Sequence, residues 1–212
     1  ALSRALTRHE GSPRRVMCII DRDSDGASVA GNQSPYLFQT DGNSIELYAF
    51  TPAVMEKFLL VTLGGFPRSV DDLMSQIMRI LERVYAIRQA NESLSWGMSW
   101  IPFLNYVTLD TGTLSFRESD FTRAYLQKNN RWPSRLHFAG AVADVLSKMS
   151  PDPKRRMRGH DLADLVRMAV MKLQKARSFG NSDTVEGCLM TAIESGDLET
   201  QPLFIAIEQN AR

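Results

Sequence analysis

Five consecutive apolar residues at positions 16–20, Val-Met-Cys-Ile-Ile, place the strongest constraint on the fold of this chain. An uninterrupted apolar run of this length is typical of a strand covered on both faces of an α/β sheet. Three carboxylates, Asp21, Asp23 and Asp25, follow directly. Open α/β sheets place their ligand crevice at the carboxyl ends of the strands. The sequence therefore predicts a site there for a hard divalent cation such as Mg²⁺, which prefers oxygen ligands and would relieve the repulsion among the carboxylates.

The segment after this strand completes a small α/β core. Residues 36–40 are predicted to form a second short strand, and residues 41–44 form a turn that can cap a helix beginning near Ile45. Glu46, in the first turn of that helix, offers a further carboxylate to the cation site. We therefore expect a sheet core within residues 1–66.

From residue 67 to residue 212 the sequence predicts a mostly helical region. Apolar residues between Val70 and Ile87 recur at steps of three and four, which is the stripe of a long amphipathic helix. Further helices are predicted from residue 119 and over residues 134–149, 160–177 and 183–195, with a short strand at residues 105–109. The expected fold class is α/β, with a small sheet core followed by this helical region. The stripe also suits a helical partner, so a homodimer is a further expectation.

Composition excludes several classes of function without selecting one. Lys and Arg number 25 against 24 Asp and Glu, so the net charge of +1 gives no global argument for a nucleic-acid or membrane partner. The two cysteines, Cys18 and Cys188, form neither a disulfide framework nor a zinc pattern, which favours a cytoplasmic location. No apolar stretch approaches the roughly 18 residues of a membrane span. Because the chain opens on Ala1 and not on Met, we expect the natural chain to start earlier, so that its N-terminus is truncated here.

The acidic run admits other interpretations. Asp, Ser and Gly are frequent in turns, so residues 21–26 can form a solvated turn without any ligand. A calcium loop requires a bidentate glutamate at its twelfth position, and Asn32 stands there instead, which excludes that reading. A phosphotransferase of the haloacid-dehalogenase kind would use Asp21 as nucleophile and Asp23 as acid, although it normally has Thr or Val at the place of Asp25. The turn and the phosphotransferase stay open.

Three segments of the chain, in this order, carry a family resemblance. They are Ile-Ile-Asp-Arg-Asp-Ser-Asp at residues 19–25, Thr-Asp-Gly-Asn-Ser-Ile-Glu-Leu-Tyr at residues 40–48, and Arg-Gly-His-Asp-Leu at residues 158–162. Together they resemble a Toprim-like family of domains of unknown function that is similar to nucleases of the overcoming-lysogenization-defect type. Members of that family often occur beside ABC-type ATPases in bacterial anti-phage systems. Each motif is short, and their order along the chain carries the resemblance.

The resemblance implies a catalytic and metal-binding site. Asp21 and Asp23 match the D-x-D pair, and Glu46 matches the glutamate of the second motif, although Leu47 replaces the usual Asn. These three carboxylates would be catalytic and, with Asp25 as an additional oxygen donor, would bind Mg²⁺ or Mn²⁺. Toprim domains also carry a glutamate on an earlier strand, which is expected upstream of residue 1.

The function that the resemblance implies is a Mg²⁺-dependent nuclease acting on nucleic-acid phosphodiesters, an effector in bacterial anti-phage defence. Its partners would be nucleic acid and an ABC-type ATPase, and no membrane partner is expected. One alternative is a non-catalytic Toprim-like interaction subunit of an ATPase complex, which the missing glutamate favours. The other is a haloacid-dehalogenase-like phosphatase acting on small phosphoesters.

A basic cluster leads into the third motif. The candidates for nucleic-acid binding are Lys154, Arg155, Arg156, Arg158 and His160. Cations at such a place contact phosphates and carry no sequence specificity. The alternatives are a solvated loop for the cations, a buried hydrogen-bonded histidine, and an N-cap role for the aspartate that follows it. The three tryptophans are expected to pack in the core and not to stack on bases.

Overall fold

The computed structural model describes residues 17–22, 37–65, 69–110, 112–174 and 180–211. Within these ranges the chain is a mixed α/β fold in which helices predominate, so the coarse fold class is confirmed. No helix among the described residues is long and apolar enough to cross a membrane. The predicted Asp23 and Asp25, and the start of the first strand at Val16, lie outside the described residues.

The first sheet joins β1 (Cys18–Ile20) and β2 (Leu37–Gln39) in parallel, with Cys18 opposite Leu37 and Ile20 opposite Gln39. Both strands fall inside the predicted ranges. The burial of β1 was predicted wrongly, because Ile19 is 41% exposed and its two neighbours are half-buried. Among the described residues β1 pairs only with β2, and the exposure of Ile19 shows that one face of β1 contacts solvent.

The chain turns sharply after β2 into a 3-10 helix, Ile45–Ala49, and then into α1, Pro52–Leu63. Thr51 caps α1, because its hydroxyl accepts from the backbone N–H of Val54 at 3.3 Å. The helix ends at Gly64, whose φ of 70° is the left-handed conformation that glycine adopts without strain. The predicted helix near Ile45 is thus two shorter elements.

The longest element is α2, Val70–Ser93, and it confirms the predicted amphipathic stripe. The hydroxyl of Ser69 caps it by accepting from the N–H of Asp72 at 3.3 Å. The stripe is buried inside the chain, including Ile77, Val84 and Ile87 with no exposed area. The homodimer was predicted from this stripe, which is not available to a second chain. It therefore stays a prediction.

The remaining elements follow in chain order. They are β3 (Val107–Asp110), β4 (Thr113–Phe116), α3 (Glu118–Lys128), α4 (Arg135–Ser147), α5 (Gly159–Gln174), α6 (Ser182–Thr191), α7 (Ser195–Leu198) and α8 (Pro202–Ala211). The strands β3 and β4 form an antiparallel hairpin. The predicted helix at residues 183–195 is shorter than expected, because it ends at Thr191 and α7 begins separately after Glu194.

The hydrophobic core is continuous from the turn after β2 to α6. Leu47 and Phe58 share it with Leu165 and Leu189, all at most 1% exposed. Aromatic rings fill its other end, where Trp96 stacks on Phe138 at 5.7 Å and Trp100 lies 5.2 Å from Phe121 and from Tyr125. The tryptophans thus pack as expected. The division of the chain at residue 66 stays a prediction.

Candidate functional site

Asp21 lies at the carboxyl end of β1, as predicted, and is hydrogen-bonded to the turn that carries Glu46. Its Oδ1 accepts a hydrogen bond from the backbone N–H of Ile45 at 2.9 Å. Glu46 follows Ile45, so this bond ties the end of the first strand to the turn that carries the second predicted carboxylate. Asp21 itself is exposed to solvent.

The loop between β2 and the 3-10 helix is fixed by its own polar groups. The buried Thr40 hydroxyl accepts from the N–H of Arg22 at 3.0 Å and donates to the carbonyl of Gly42 at 2.7 Å. Asp41 Oδ2 accepts from the hydroxyl of Tyr48 at 2.7 Å and from the N–H of Leu203 at 3.2 Å. Burial raises the pKa of Tyr48; the hydrogen bond with the Asp41 backbone opposes this rise, and the Asp41 carboxylate adds to it. Asp41 is therefore a structural anchor.

Glu46 is the most unusual polar residue of the site. It is only 8% exposed, and its Oε2 has no hydrogen-bond partner among the residues that the structure describes. A buried carboxylate without a donor is costly, because the water it loses is not replaced. Such groups in folded proteins call for a ligand, an ion or a shared proton.

Gly159, the first residue of α5, makes room for this carboxylate. Its N–H donates to Ser44 Oγ at 3.0 Å, which brings the start of α5 against the turn. A Cβ at this position would overlap Glu46 Oε2 and would lie 2.5 Å from Ser44 Oγ. Gly159 is required for this close approach, since any side chain would displace the glutamate from its recess.

A second carboxylate, Glu186 of α6, adjoins Glu46 and was missed by the sequence analysis. Burial raises the pKa of the Glu186 carboxyl, the charge of Glu46 and a hydrogen bond with it raise that pKa further, and His160 opposes the rise. His160 Nδ1 lies 3.2 Å from Glu186 Oε2. The imidazole is 74% exposed, so His160 is not the buried histidine considered above but a surface group that contacts Glu186.

The electrostatics of this pair define what it can bind. Two like unit charges about 4 Å apart repel by about 4 kcal/mol at an effective dielectric constant of about 20. A shared proton or a shared cation removes that repulsion, and carboxylate oxygens suit Mg²⁺ and Mn²⁺. Within the described ranges no three His, Cys, Asp or Glu side chains are grouped so that they could hold a metal ion as they stand. The donor set described is therefore the Glu46–Glu186 pair, with Asp21 bonded to the same turn.

The predicted basic cluster is divided by the fold. Lys154 Nζ donates to Gln201 Oε1 and lies over the ring of Tyr48. Arg156 forms an ion pair with Glu82 at 2.7 Å in which both side chains are largely covered. These two cations hold the chain together.

Arg155 and Arg158 are exposed, unlike the other two cations of the cluster. Arg155 donates to the carbonyl of Asp41 at 3.2 Å, whereas the Arg158 side chain makes no hydrogen bond or ion pair with the described residues and acts on Asp161 through its charge. With the exposed His160, they are the members of the cluster that a nucleic-acid phosphate can reach.

Asp161 of the third motif belongs to the core and not to the site. Its Oδ1 accepts from Arg88 Nη2 at 2.9 Å, and the Arg88 guanidinium stacks on Trp100 at 3.7 Å. Burial raises the pKa of Asp161 and lowers the pKa of Arg88, and each partner opposes the shift of the other. Asp161 lies in the first turn of α5, so the expected N-cap role is wrong.

A cavity of about 490 Å³, lined by both polar and apolar side chains, opens beside the turn that carries Glu46. The cations lining it are Arg22, Lys148 and Arg155, of which Lys148 is paired with Asp144 at 2.7 Å. Arg22 follows Asp21 directly in the chain. The cavity therefore offers positive charge close to the carboxyl end of β1.

No significant match to a protein-family model, to a curated protein or to a solved structure was found for this chain.

Proposed function

We propose that this protein is a divalent-metal-dependent phosphodiesterase. More specifically, we propose a Toprim-like nuclease that uses Mg²⁺ or Mn²⁺ and acts in bacterial anti-phage defence. The single observation that supports the metal site best is Glu46, a buried carboxylate whose Oε2 lacks a donor within the described part of the chain. The bond between Asp21 and the N–H of Ile45 supports it further, since the two motif carboxylates then belong to one connected structure.

Different residues of the chain would bind the metal and contact the nucleic acid. Asp21, Asp23 and Glu46 would hold the metal, with Asp25 as an additional oxygen donor. When bound, a divalent cation supplies Lewis-acid activation of water and neutralises charge on the scissile phosphate. The exposed cations Arg155 and Arg158, with His160 and the partly buried Arg22, would contact the flanking phosphates of the nucleic acid. Lys154 and Arg156 would act indirectly, through the packing contacts they already make.

The test is a cleavage assay on three substrates. Plasmid DNA, single-stranded DNA and tRNA are each incubated with the purified chain in Mg²⁺, in Mn²⁺ and in EDTA. We expect metal-dependent cleavage that Asp23→Ala and Glu46→Gln reduce by at least about 100-fold, which corresponds to about 2.7 kcal/mol of transition-state stabilisation. Glu56→Gln is the matched control, because Glu56 is an exposed carboxylate of α1.

Two results would contradict the proposal. Cleavage that persists in EDTA, or that is equally strong in the Glu46→Gln variant, would separate the activity from this site. Absence of cleavage on all three substrates, together with no rise in melting temperature on adding Mg²⁺ or Mn²⁺, would leave residues 21–26 as a solvated turn. Hydrolysis of a small phosphoester with intact nucleic acid would instead favour the phosphatase alternative.

A non-catalytic interaction subunit of an ABC-type ATPase complex is the second candidate. One observation favours it: Leu60 and Val61 of α1 are 63% and 84% exposed, which leaves apolar surface available to a partner. Co-purification with an ABC-type ATPase tests the idea. Loss of the complex in Val61→Asp, with normal binding by Glu56→Gln, is the expected result.

A further inference from the structure

Glu186 lies about 140 residues from Glu46 in sequence, and yet the fold brings the two side chains to the same place: Glu46 abuts Gly159, and Nδ1 of the next residue, His160, lies 3.2 Å from Glu186 Oε2. The 3-10 helix carries Glu46 at its start, and α5 and α6 both pack against that element. Gly159 leaves room for the carboxylate of Glu46, and the Cβ of any other residue at this position would overlap that carboxylate. No apolar contact would need this recess.

We propose that Glu186 is a metal-binding residue of the same divalent-cation site as Glu46, with His160 as the positioning residue that orients it. This inference rests on the metal site of the proposed function but not on the identity of the substrate.

Burial and hydrogen bonding support a cation in preference to an apolar or anionic ligand. Glu46 is more than nine-tenths buried, and its Oε2 has no donor among the described residues. Glu186 is partly covered, with a side chain that is 24% exposed, so solvent reaches the pair from the side of α6. The backbone N–H of Gly159, the nearest donor described for this recess, is already used by Ser44. An anion would meet the two carboxyl groups, which repel negative charge.

His160 fits the role of an outer partner. Its Nδ1 lies 3.2 Å from Glu186 Oε2, within reach of a hydrogen bond that fixes the carboxylate. Carboxylates that bind metals are commonly held by such second contacts, and the loss of one typically lowers metal affinity by about 10- to 100-fold. The His160 side chain is largely exposed to solvent, so its replacement should leave the core intact.

The test is a Mn²⁺ titration of the whole 212-residue chain, followed by the electron paramagnetic resonance signal of the free ion. We expect Glu46→Gln and Glu186→Gln each to weaken Mn²⁺ binding by about 100-fold, and His160→Gln to weaken it by about tenfold. Glu199→Gln is the control. Glu199 is an exposed carboxylate that lies, like Glu186, in the C-terminal part of the sequence, and the Glu199→Gln variant should bind Mn²⁺ as the unaltered protein does. Urea unfolding of each variant establishes that it is folded.

The outcomes separate this inference from the proposed nuclease. If Glu186→Gln binds Mn²⁺ normally while Glu46→Gln does not, the metal site stands and the role of Glu186 is overturned. If both variants lose Mn²⁺ but the unaltered protein cleaves no nucleic acid, the role of Glu186 is supported and the nuclease is not. If the unaltered protein binds no Mn²⁺ and both variants melt at a higher temperature at pH 7, the two carboxyls share only a proton, which overturns the inference.

Discussion

The ion pair between Arg88 and Asp161 fastens the long helix α2 to the beginning of α5. The two side chains are 16% and 11% exposed, and a single hydrogen bond of 2.9 Å joins them. Replacing Asp161 by Asn keeps the shape of the side chain but removes its charge. The Arg88 guanidinium would then remain buried without a counter-ion, while its Nε already lacks a partner within the described residues.

The expected cost follows from these contacts. Breaking one partner of a buried pair typically costs about 3–5 kcal/mol. We expect the lower end, about 3 kcal/mol, because Asn still accepts one hydrogen bond and Arg88 keeps its stacking on Trp100, worth about 0.5–2 kcal/mol. For a chain of this size that loss lowers the melting temperature by roughly 6–12 °C.

Urea unfolding followed by circular dichroism measures this cost. The control is Glu118→Gln, which breaks the exposed pair with Arg83, where the side chains are 29% and 44% exposed, and should cost about 1 kcal/mol or less. The double replacement Arg88→Leu with Asp161→Leu removes both charges and should cost less than the sum of the single changes. If Asp161→Asn costs no more than Glu118→Gln, Asp161 is not a buried counter-ion, and its place in the third motif must be explained by ligand binding.

Three further predictions concern the site and the core. Gly159→Ala should destabilise the fold by about 1–3 kcal/mol, because the added Cβ overlaps the carboxylate of Glu46. This is expected even though alanine ordinarily favours a helix more than glycine does. Urea unfolding measures the change, and a gain in stability would contradict the close packing of Gly159 against Glu46. Asp197→Asn should lower the melting temperature at pH 7, and this effect should shrink as the pH falls below the ordinary Asp pKa. The hydrogen bond from Lys57 lowers the pKa of Asp197, so its stabilisation is present above the ordinary Asp pKa and is lost as the pH falls through the lowered value. An effect that does not change with pH would rule out this linkage. Phe138→Ala should cost about 3–5 kcal/mol in the same unfolding assay, because the ring is fully buried against Trp96, and a cost below about 1 kcal/mol would refute its place in the core.

Local patterns in the sequence were sufficient to predict the helices but not their surroundings. The stripe from Val70 to Ile87 predicts α2 well, because a period of three and four residues depends only on which face of one helix is buried. The apolar run at β1 indicated a strand but misjudged its burial, since the exposure of Ile19 depends on how many strands and helices come to cover it. That property belongs to the whole fold.

The candidate site shows the same limit. Asp21 and Glu46 could be identified because they belong to short motifs near one predicted strand. Glu186 carries no local signal, since one glutamate in a helix resembles any other until the chain folds. The basic cluster looked uniform in sequence, but Arg156 faces Glu82 on α2 and Arg158 faces solvent. Only long-range contacts distinguish these residues.

The hydrogen bond between the Gly159 N–H and Ser44 Oγ spans 115 residues of sequence, which sets an order of events during synthesis. Ribosomes add about 5–20 residues per second, so Ser44 exists for roughly 6–23 s before its partner is made. During that time the growing chain holds Asp21 and Glu46 but not the recess around them. A chain interrupted before α5 would therefore carry both motif carboxylates and yet lack a formed pocket, and the finished pocket arises only after α5 and α6 have been translated.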